Sequence, residues 1–511
     1  MAGPAARWMV VLAWLLVAGA AARVAWSTGT QLVQPTDLLL ESPQLASVKV
    51  LGEGRNLYGP DVYADVPFTL TMYTPLYFHI VAALPAAPDA PFLAGRLVSL
   101  VSMLGAAALL FAVPRRRAGT WLPALAAACF LLVWIVGQYA AAMRIDALAV
   151  ALSACGVTLA RRRTPRAVAG AALCCLLALA TKQSHVAAAV ACVTWLALQD
   201  RPLAARFAAW LAGGLLLGAG AASLLWGRGF WFSTVTATMD SPQWWSVPAV
   251  WGAVLQQPLF AVLCALAALT AAARVRRDGV RGALRSLELC YAVLATLLSS
   301  LALAKTGSSA IYFIEPALAL LLWLLAAWAD VPASEPPAHG AGAPRGAPAV
   351  PAAARAAPMG ARVRGAAFGA VAVAVALELA TSASHRGRIT LAAADPQADR
   401  AFAAGMRAAL EREAPGRPLV LNLGPPHFAY YAAQDTCLND SFLYTLLWTT
   451  GRLGPEPLVA AIEARRFDVV LLSSLVDAAP EPPPPWDRIV RTVRERYVLR
   501  GRDPVYQCYG R

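Results

Sequence analysis

Apolar stretches long enough to cross a bilayer recur along most of this chain, and nothing else in it constrains the fold so strongly. A helix needs about 20 apolar residues, within a range of about 17–25, to span the hydrocarbon layer. Candidate runs lie near 8–26, 93–113, 119–140, 145–160, 167–182, 184–199, 207–226, 247–272, 286–304, 314–330 and 364–382. They predict an all-α polytopic membrane domain with about eleven transmembrane helices. Composition agrees. Of the 511 residues, 59% are hydrophobic and 14% are charged, against about 25% charged in a soluble protein. Dissolved in water, such a chain would expose far more apolar surface than soluble proteins carry. The run from Trp8 could be misread as a signal peptide because of the Ala-Gly-Ala-Ala-Ala that follows it. Its length and the spans after it favour an uncleaved first helix.

The net charge of +14 does not point to nucleic acid, because the arginines are not gathered on one polar segment. They sit in short clusters between apolar runs: Arg115–Arg117, Arg161–Arg163 with Arg166, and Arg274, Arg276 and Arg277 with Arg281. That is the pattern of cytoplasmic loops. One stretch, Met72 to Leu84, decides the topology. If it crossed, every later cluster would change sides relative to Arg7. If it lies at the interface, all fall on one side, so an interfacial helix is expected. The N-terminus is then cytoplasmic, and residues 27–92 form a long outer loop.

The domain division follows. Residues 1–330 form the membrane domain, and 331–363, rich in Pro, Ala and Gly, form a disordered linker. The run 364–382 is the last span, and 386–511 form a small extracytoplasmic α/β domain. In that domain Arg400–Arg412 reads as an amphipathic helix. Pro418-Leu-Val-Leu-Asn-Leu and Phe467-Asp-Val-Val-Leu-Leu-Ser-Ser read as buried strands, and Tyr497-Val-Leu with Tyr506-Gln-Cys-Tyr as a final hairpin. Seven of the nine cysteines lie in apolar runs. Cys437 and Cys508 do not, and in an oxidising compartment they could pair as a disulfide or stay apart. No cysteine spacing resembles a zinc site.

Chemistry has to come from ionisable groups at the outer ends of the spans. The first outer loop carries Asp37, Glu41, Glu53, Asp61 and Asp65, then the aromatic run Tyr73-Thr-Pro-Leu-Tyr77. A carboxylate there is either a solvated loop charge or a general base. Arg144 and Asp146 begin a span and either form a local anchoring pair or belong to a site. Lys182, followed by Gln183, could snorkel to the interface or bind a phosphate as a point charge. Lys305, Tyr312 and Glu315 bring a cation, an aromatic and a carboxylate together before another span. Trp231, Asp240, Trp244 and Trp245 read as interfacial anchors or cavity lining. No Gly-rich nucleotide loop and no Asp-x-Asp pair is visible, which favours a lipid-linked sugar over a nucleotide sugar as donor.

The segment from Glu41 through Gly54 to Tyr58 resembles the first-loop signature of membrane glycosyltransferases of the GT-C fold. The similarity is to family 39, the protein mannosyltransferases and lipid A aminoarabinose transferases. That signature is an Asp-Glu pair, an amphipathic helix and a Gly-x-x-x-Tyr turn. Tyr73–Tyr77, Gly95-Arg96, Arg144-x-Asp146, Lys182-Gln183 and the Gly-Ser-x-x-x-Tyr-Phe-x-Glu segment ending at Glu315 resemble later elements of the family. The chain departs from it in having Leu40 before Glu41, which leaves Glu41 or Asp37 as the catalytic base.

The resemblance implies an inverting transferase that moves a sugar from a polyprenyl-phosphate carrier to an extracytoplasmic hydroxyl of a lipid, glycan or protein. Lys182, Lys305 and Arg144 would hold the donor phosphate, and Asp146 would orient a substrate. Tyr58, Tyr73, Tyr77, Arg96, Gln183, Tyr312 and Glu315 would line the cavity. No cofactor is implied, and a divalent ion between Glu41 and Asp146 stays open. Two other readings remain, a transporter or flippase of lipid-linked glycans and a structural scaffold.

Overall fold

The computed structural model describes residues 4–34, 37, 41–85, 87, 90–112, 120–239, 241–329, 361–389, 418–423, 437–473, 484–502 and 506–511, with scattered positions in 405–416. The proposed linker up to residue 360, the Arg115–Arg117 cluster and Asp240 lie outside these residues, and the linker's last three positions, 361–363, already belong to a helix. So does most of Arg400–Arg412, in which every described position from Gly405 on is helical.

The membrane part runs α1 (Pro4–Leu32), α2 (Ser42–Gly52), α3 (Pro60–Tyr63), α4 (Leu76–Ala82), α5 (Leu93–Leu109), α6 (Trp121–Leu132), α7 (Trp134–Tyr139), α8 (Ile145–Ala160), α9 (Pro165–Thr181) and α10 (Ala187–Gln199). It continues with α11 (Arg201–Thr234), α12 (Ser246–Leu255), α13 (Pro258–Ala283), α14 (Leu287–Ala302), α15 (Ile314–Ala329) and α16 (Ala361–Ile389). Among the described residues, five helical stretches are long and apolar enough to cross a membrane: Arg7–Leu32, Leu93–Ala112, Arg201–Thr238, Pro258–Ala283 and Ala310–Trp328. Shorter apolar helices pack between them. Leu216, Leu217, Leu224 and Leu225 of α11 are 68–89% exposed, a surface that only lipid can cover. This is a multi-pass membrane protein.

Lipid gives no hydrophobic drive between helices, so close contact depends on small residues. Helices α8 and α9 meet at Gly156, where a Cβ would lie 3.0 Å from Cys175 Sγ and 3.2 Å from the Ala171 carbonyl. Their partners at one end of the bundle are set by capping. Thr164, Asp200 and Ser286 accept the Ala167, Leu203 and Leu289 N–H groups at the starts of α9, α11 and α14. The arginine-rich turns gather there too: Arg161 pairs with Glu288 at 3.0 Å, and the Trp195 indole donates to the Arg285 carbonyl at 2.8 Å. The ends of α8 and α9 that carry Asp146 and Lys182 lie at the opposite end.

Helix α4 has seven residues, about 10 Å of rise, so Met72–Leu84 does not cross. The stretch read as a single span over 247–272 is two helices, a correction with a local cause. Pro258 pushes the preceding Gln257 out of the helical region, to φ −83° and ψ 115°, and α12 stops before it. The run 119–140 also breaks, at Val133 with ψ 120°, between α6 and α7.

The C-terminal part holds β1 (Val420–Leu423), α17 (Ser441–Thr449), α18 (Glu456–Glu463), β2 (Val469–Ser473), α19 (Trp486–Arg496), β3 (Val498–Arg502) and β4 (Tyr506–Gly510). The sheet order is β1-β2-β4-β3, with β1 and β2 parallel and the last three antiparallel. Leu421, Leu423, Val470 and Leu472 alternate onto one face and pack under α17, α18 and α19. Phe68 and Leu70 of the first loop enter this same core, as does Ala237 after α11.

Polar contacts fix the docking. The Leu70 N–H donates to Asn439 Oδ1 and Asn439 Nδ2 donates to the Leu70 carbonyl, both at 3.1 Å. The Tyr444 hydroxyl donates to the Tyr63 carbonyl at 2.7 Å, and Arg466 pairs with Asp65 at 2.6 Å. Slight burial pushes the Asp65 carboxyl up, but the Val66 N–H and Arg466 outweigh it and hold it below the usual value. Asn439 is fully buried, so Asn439→Ala leaves the Leu70 N–H and carbonyl without partners. The expected loss is about 1–3 kcal/mol, read as earlier protease cleavage of the C-terminal part in detergent. An unchanged cleavage profile would contradict the docking.

The two cysteines of the C-terminal part do not meet. The Cys437 N–H donates to the Val420 carbonyl on the open edge of β1, while Cys508 sits on β4 opposite Leu471. Three strand spacings separate them, about 14 Å, twice the Cα separation of about 7 Å that a disulfide tolerates. Cys437 also packs into the helix-covered core, whereas Cys508 faces away from it. Of the two readings left open by the sequence, the structure has the cysteines apart.

Candidate active site

The first loop is built around two carboxylates. Asp37 accepts the Glu41 and Ser42 N–H groups at 2.8 and 2.9 Å and the Ser42 hydroxyl, tying down the start of α2. Glu41, fully buried, takes Arg96 Nε and Nη2 at 3.0 and 2.6 Å and the Met143 N–H at 2.5 Å. Arg96 also donates to the carbonyls of Gln31 and Gln34 at the end of α1. One ion pair thus braces α1, the first loop, α5 and the turn before α8. Gly95 lets that turn approach, since a Cβ there would lie 2.2 Å from Met143 Cγ. Burial pushes the Glu41 carboxyl up against the pull of Arg96.

Beside this brace, Lys182 at the end of α9 pairs with Asp146 in the first turn of α8 at 2.5 Å, both side chains buried. Arg144, the residue before α8, lies 3.9 Å from the second Asp146 oxygen. The Lys182 ammonium sits 4.4 Å from the Tyr312 ring centre and 5.7 Å from that of Tyr73, a cation–π arrangement. Gln183 donates to the carbonyls of Met72 and Thr234 at 2.8 and 3.0 Å, which holds the first loop and the end of α11 against α9.

These elements enclose a cavity of about 300 Å³. Arg144, Lys182, Lys305, Tyr73 and Tyr312 line it, along with Gln44 and Ser47 of α2. Asp146 stands behind Lys182. Glu41, Asp37, Arg96, Tyr58, Tyr77, Gln183 and Glu315 are not among its lining residues. Tyr58 and Tyr77 donate to the carbonyls of Tyr73 and Gly95 instead. Glu315 accepts from Tyr291 at 2.9 Å and faces His185 at 3.0 Å. Trp231, Trp244 and Trp245 are 39–70% exposed and do not line it either.

The sequence reading missed one wall. Asp440, Phe442, Leu443 and Leu446, at the start of α17, close the cavity from the C-terminal part. Asn-Asp-Ser before an apolar run is a helix-start signal, but nothing local shows where that helix docks. Arg144, Lys182 and Lys305 stand against Asp440 in the lining and Asp146 behind it, a balance of one positive charge among these described residues that favours an anion. Glu41 is paired with Arg96, and Asp146 with Lys182. No cluster of three metal-ligating side chains occurs among the described residues.

Two solved structures share this architecture, both of ArnT from Cupriavidus metallidurans. The one bound to undecaprenyl phosphate matches with a TM-score of 0.58 and 12% identity, over 97% of this chain and 97% of that one. The apo structure matches with a TM-score of 0.60 and 12% identity, over 99% and 98%. The chain has the ArnT fold. That fold accounts for nearly the full length, C-terminal sheet included. No family model and no curated protein matches the sequence.

Proposed function

We propose that the protein is an inverting glycosyltransferase that uses a polyprenyl-phosphate sugar and an acceptor hydroxyl outside the membrane. The observation that carries this reading is the cavity lined by Arg144, Lys182 and Lys305 at one end of the bundle. Its fold is that of a protein solved with undecaprenyl phosphate. The lipid tail would lie along the helices, with the phosphate among the three cations. As the bond to the sugar breaks, negative charge grows on the departing phosphate, and fixed cations in a dry site stabilise it without reorganising. Asp146 holds the Lys182 ammonium in place, and Tyr73 and Tyr312 confine it from the cavity side.

Glu41 and Asp37 act in this scheme as positioning residues: one braces Arg96, the other caps α2, and neither reaches the cavity lining. The site end, with the C-terminal part, would face outward, and the arginine-rich turns inward. A transporter would place its ionisable groups near the bilayer midplane on broken helices. Here the cations sit where helices begin and end, with Arg144 before α8 and Lys182 after α9.

The direct test uses purified protein and undecaprenyl phosphate. Lys305→Gln should weaken binding by about tenfold, the loss of one charge-assisted contact, measured by native mass spectrometry or fluorescence titration. Equal binding by the variant, or none by the native protein, would refute the phosphate site.

A further inference from the structure

The last span holds an acid that the transfer reading does not use. Glu378 of α16 is 2% exposed, and its Oε2 has no hydrogen-bond partner within the chain. Two more buried polar atoms lack a partner, the Trp134 indole N–H and Gln31 Oε1. All three residues line one small pocket between α1, the break from α6 to α7 and α16, together with Arg23 and Ser27. A buried polar group without a partner costs free energy. An ionisable one at membrane depth marks a functional site by default.

We propose that this pocket binds the headgroup of a zwitterionic phospholipid that carries a primary ammonium. The lining supplies both halves of the match: Glu378 and Gln31 Oε1 accept, while Arg23 and the Trp134 indole donate. Arg23 and Glu378 are the ionisable groups among its described lining residues, so their charges balance and suit a zwitterion better than a lone anion or cation. A primary ammonium gives N–H groups to both acceptors, and its phosphate accepts from the guanidinium and the indole. A trimethylated ammonium has no N–H to give. The pocket measures about 60 Å³, room for about four water-sized groups. That takes an aminoethyl arm, with the phosphate at the mouth.

Depth and surroundings agree. Arg23 and Glu378 stand in the second halves of α1 and α16, each 29 residues long. At about 1.5 Å per residue they lie about 25–29 Å from the helix starts, near the far boundary of a hydrocarbon layer about 30 Å thick. Trp26 is 69% exposed and Leu377 45%, so lipid reaches both helices beside the pocket. The Gln31 side-chain N–H reaches the Gly137 carbonyl at 3.5 Å, which orients Oε1.

Native mass spectrometry of the full-length protein in detergent, titrated with dioleoyl phosphatidylethanolamine, phosphatidylcholine or phosphatidylglycerol, tests this. The native protein should bind one phosphatidylethanolamine about tenfold more tightly than either of the others. Glu378→Gln should lose that preference and keep native binding of phosphatidylcholine, which also shows that the variant is folded. Trp134→Phe removes the indole N–H and keeps a ring. It should weaken phosphatidylethanolamine and phosphatidylcholine alike, by about three- to tenfold. Equal binding of the three lipids by the native protein, or a preference that survives Glu378→Gln, would overturn the proposal. The comparison of lipids on the native protein decides the matter even where the glutamine variant fails to fold. Neither Glu378 nor Trp134 lines the cavity of Arg144, Lys182 and Lys305, so the outcome is independent of the transfer reading.

Discussion

Replacing Arg96 with leucine is expected to unfold the membrane end of the protein, with a loss of about 3–5 kcal/mol, the range for stripping a buried charge of its partner. Arg96 is 1% exposed and Glu41 fully buried, so the orphaned carboxylate cannot reach water. The same change frees the Gln31 and Gln34 carbonyls that Arg96 joins to the first loop. A thermal melt in detergent reads the effect. Glu41→Gln in the Arg96→Leu background should recover much of it, since an amide still accepts the Met143 N–H without an uncompensated charge. Recovery of melting and turnover together is the signature of a brace. If Arg96→Leu melts like the native protein, the ion pair does not hold the first loop.

Lys182→Met should behave differently, and its effect on turnover should be the largest of any single change: about a hundredfold or more in kcat, as for removal of one fixed charge facing a developing anion. It also orphans Asp146, whose nearest remaining cation is Arg144 at 3.9 Å, so the melting temperature should fall as well. Lys182→Met with Asp146→Asn separates the two effects. The double variant removes both members of the buried Lys182–Asp146 pair and leaves Arg144 facing an amide; it should regain part of the stability, yet stay inactive, because nothing has replaced the ammonium in the cavity. Activity regained along with stability would demote Lys182 to an anchor and empty the phosphate site of its central cation.

The contrast between these pairs shows where sequence reasoning reached and where it stopped. Span existence was readable from run length, and the non-crossing Met72–Leu84 stretch from the sidedness of the arginines. The break before Pro258 was also written in the chain, as Gln-Gln-Pro, while the break at Val133 has no such marker. Arg144, Lys182 and Lys305 were singled out as span-end cations, and the structure sets all three around one cavity. The acids were harder to read because a carboxylate's role depends on its partner. Glu41 meets Arg96 across 55 positions of sequence and Asp146 meets Lys182 across 36, and no periodicity reports such pairings. Asp440 was invisible for the same reason on a larger scale. Leu70, to which its neighbour Asn439 is bound, lies 369 positions away.

The docking of α17 on the first loop has a consequence for how copies of this protein come into being. Arg144, Lys182 and Lys305 are all synthesised before the ribosome reaches Asp440 and Phe442. A half-made copy therefore has a basin with one side open to water. Only when the tail has emerged and settled onto Phe68 and Leu70 is the vessel closed.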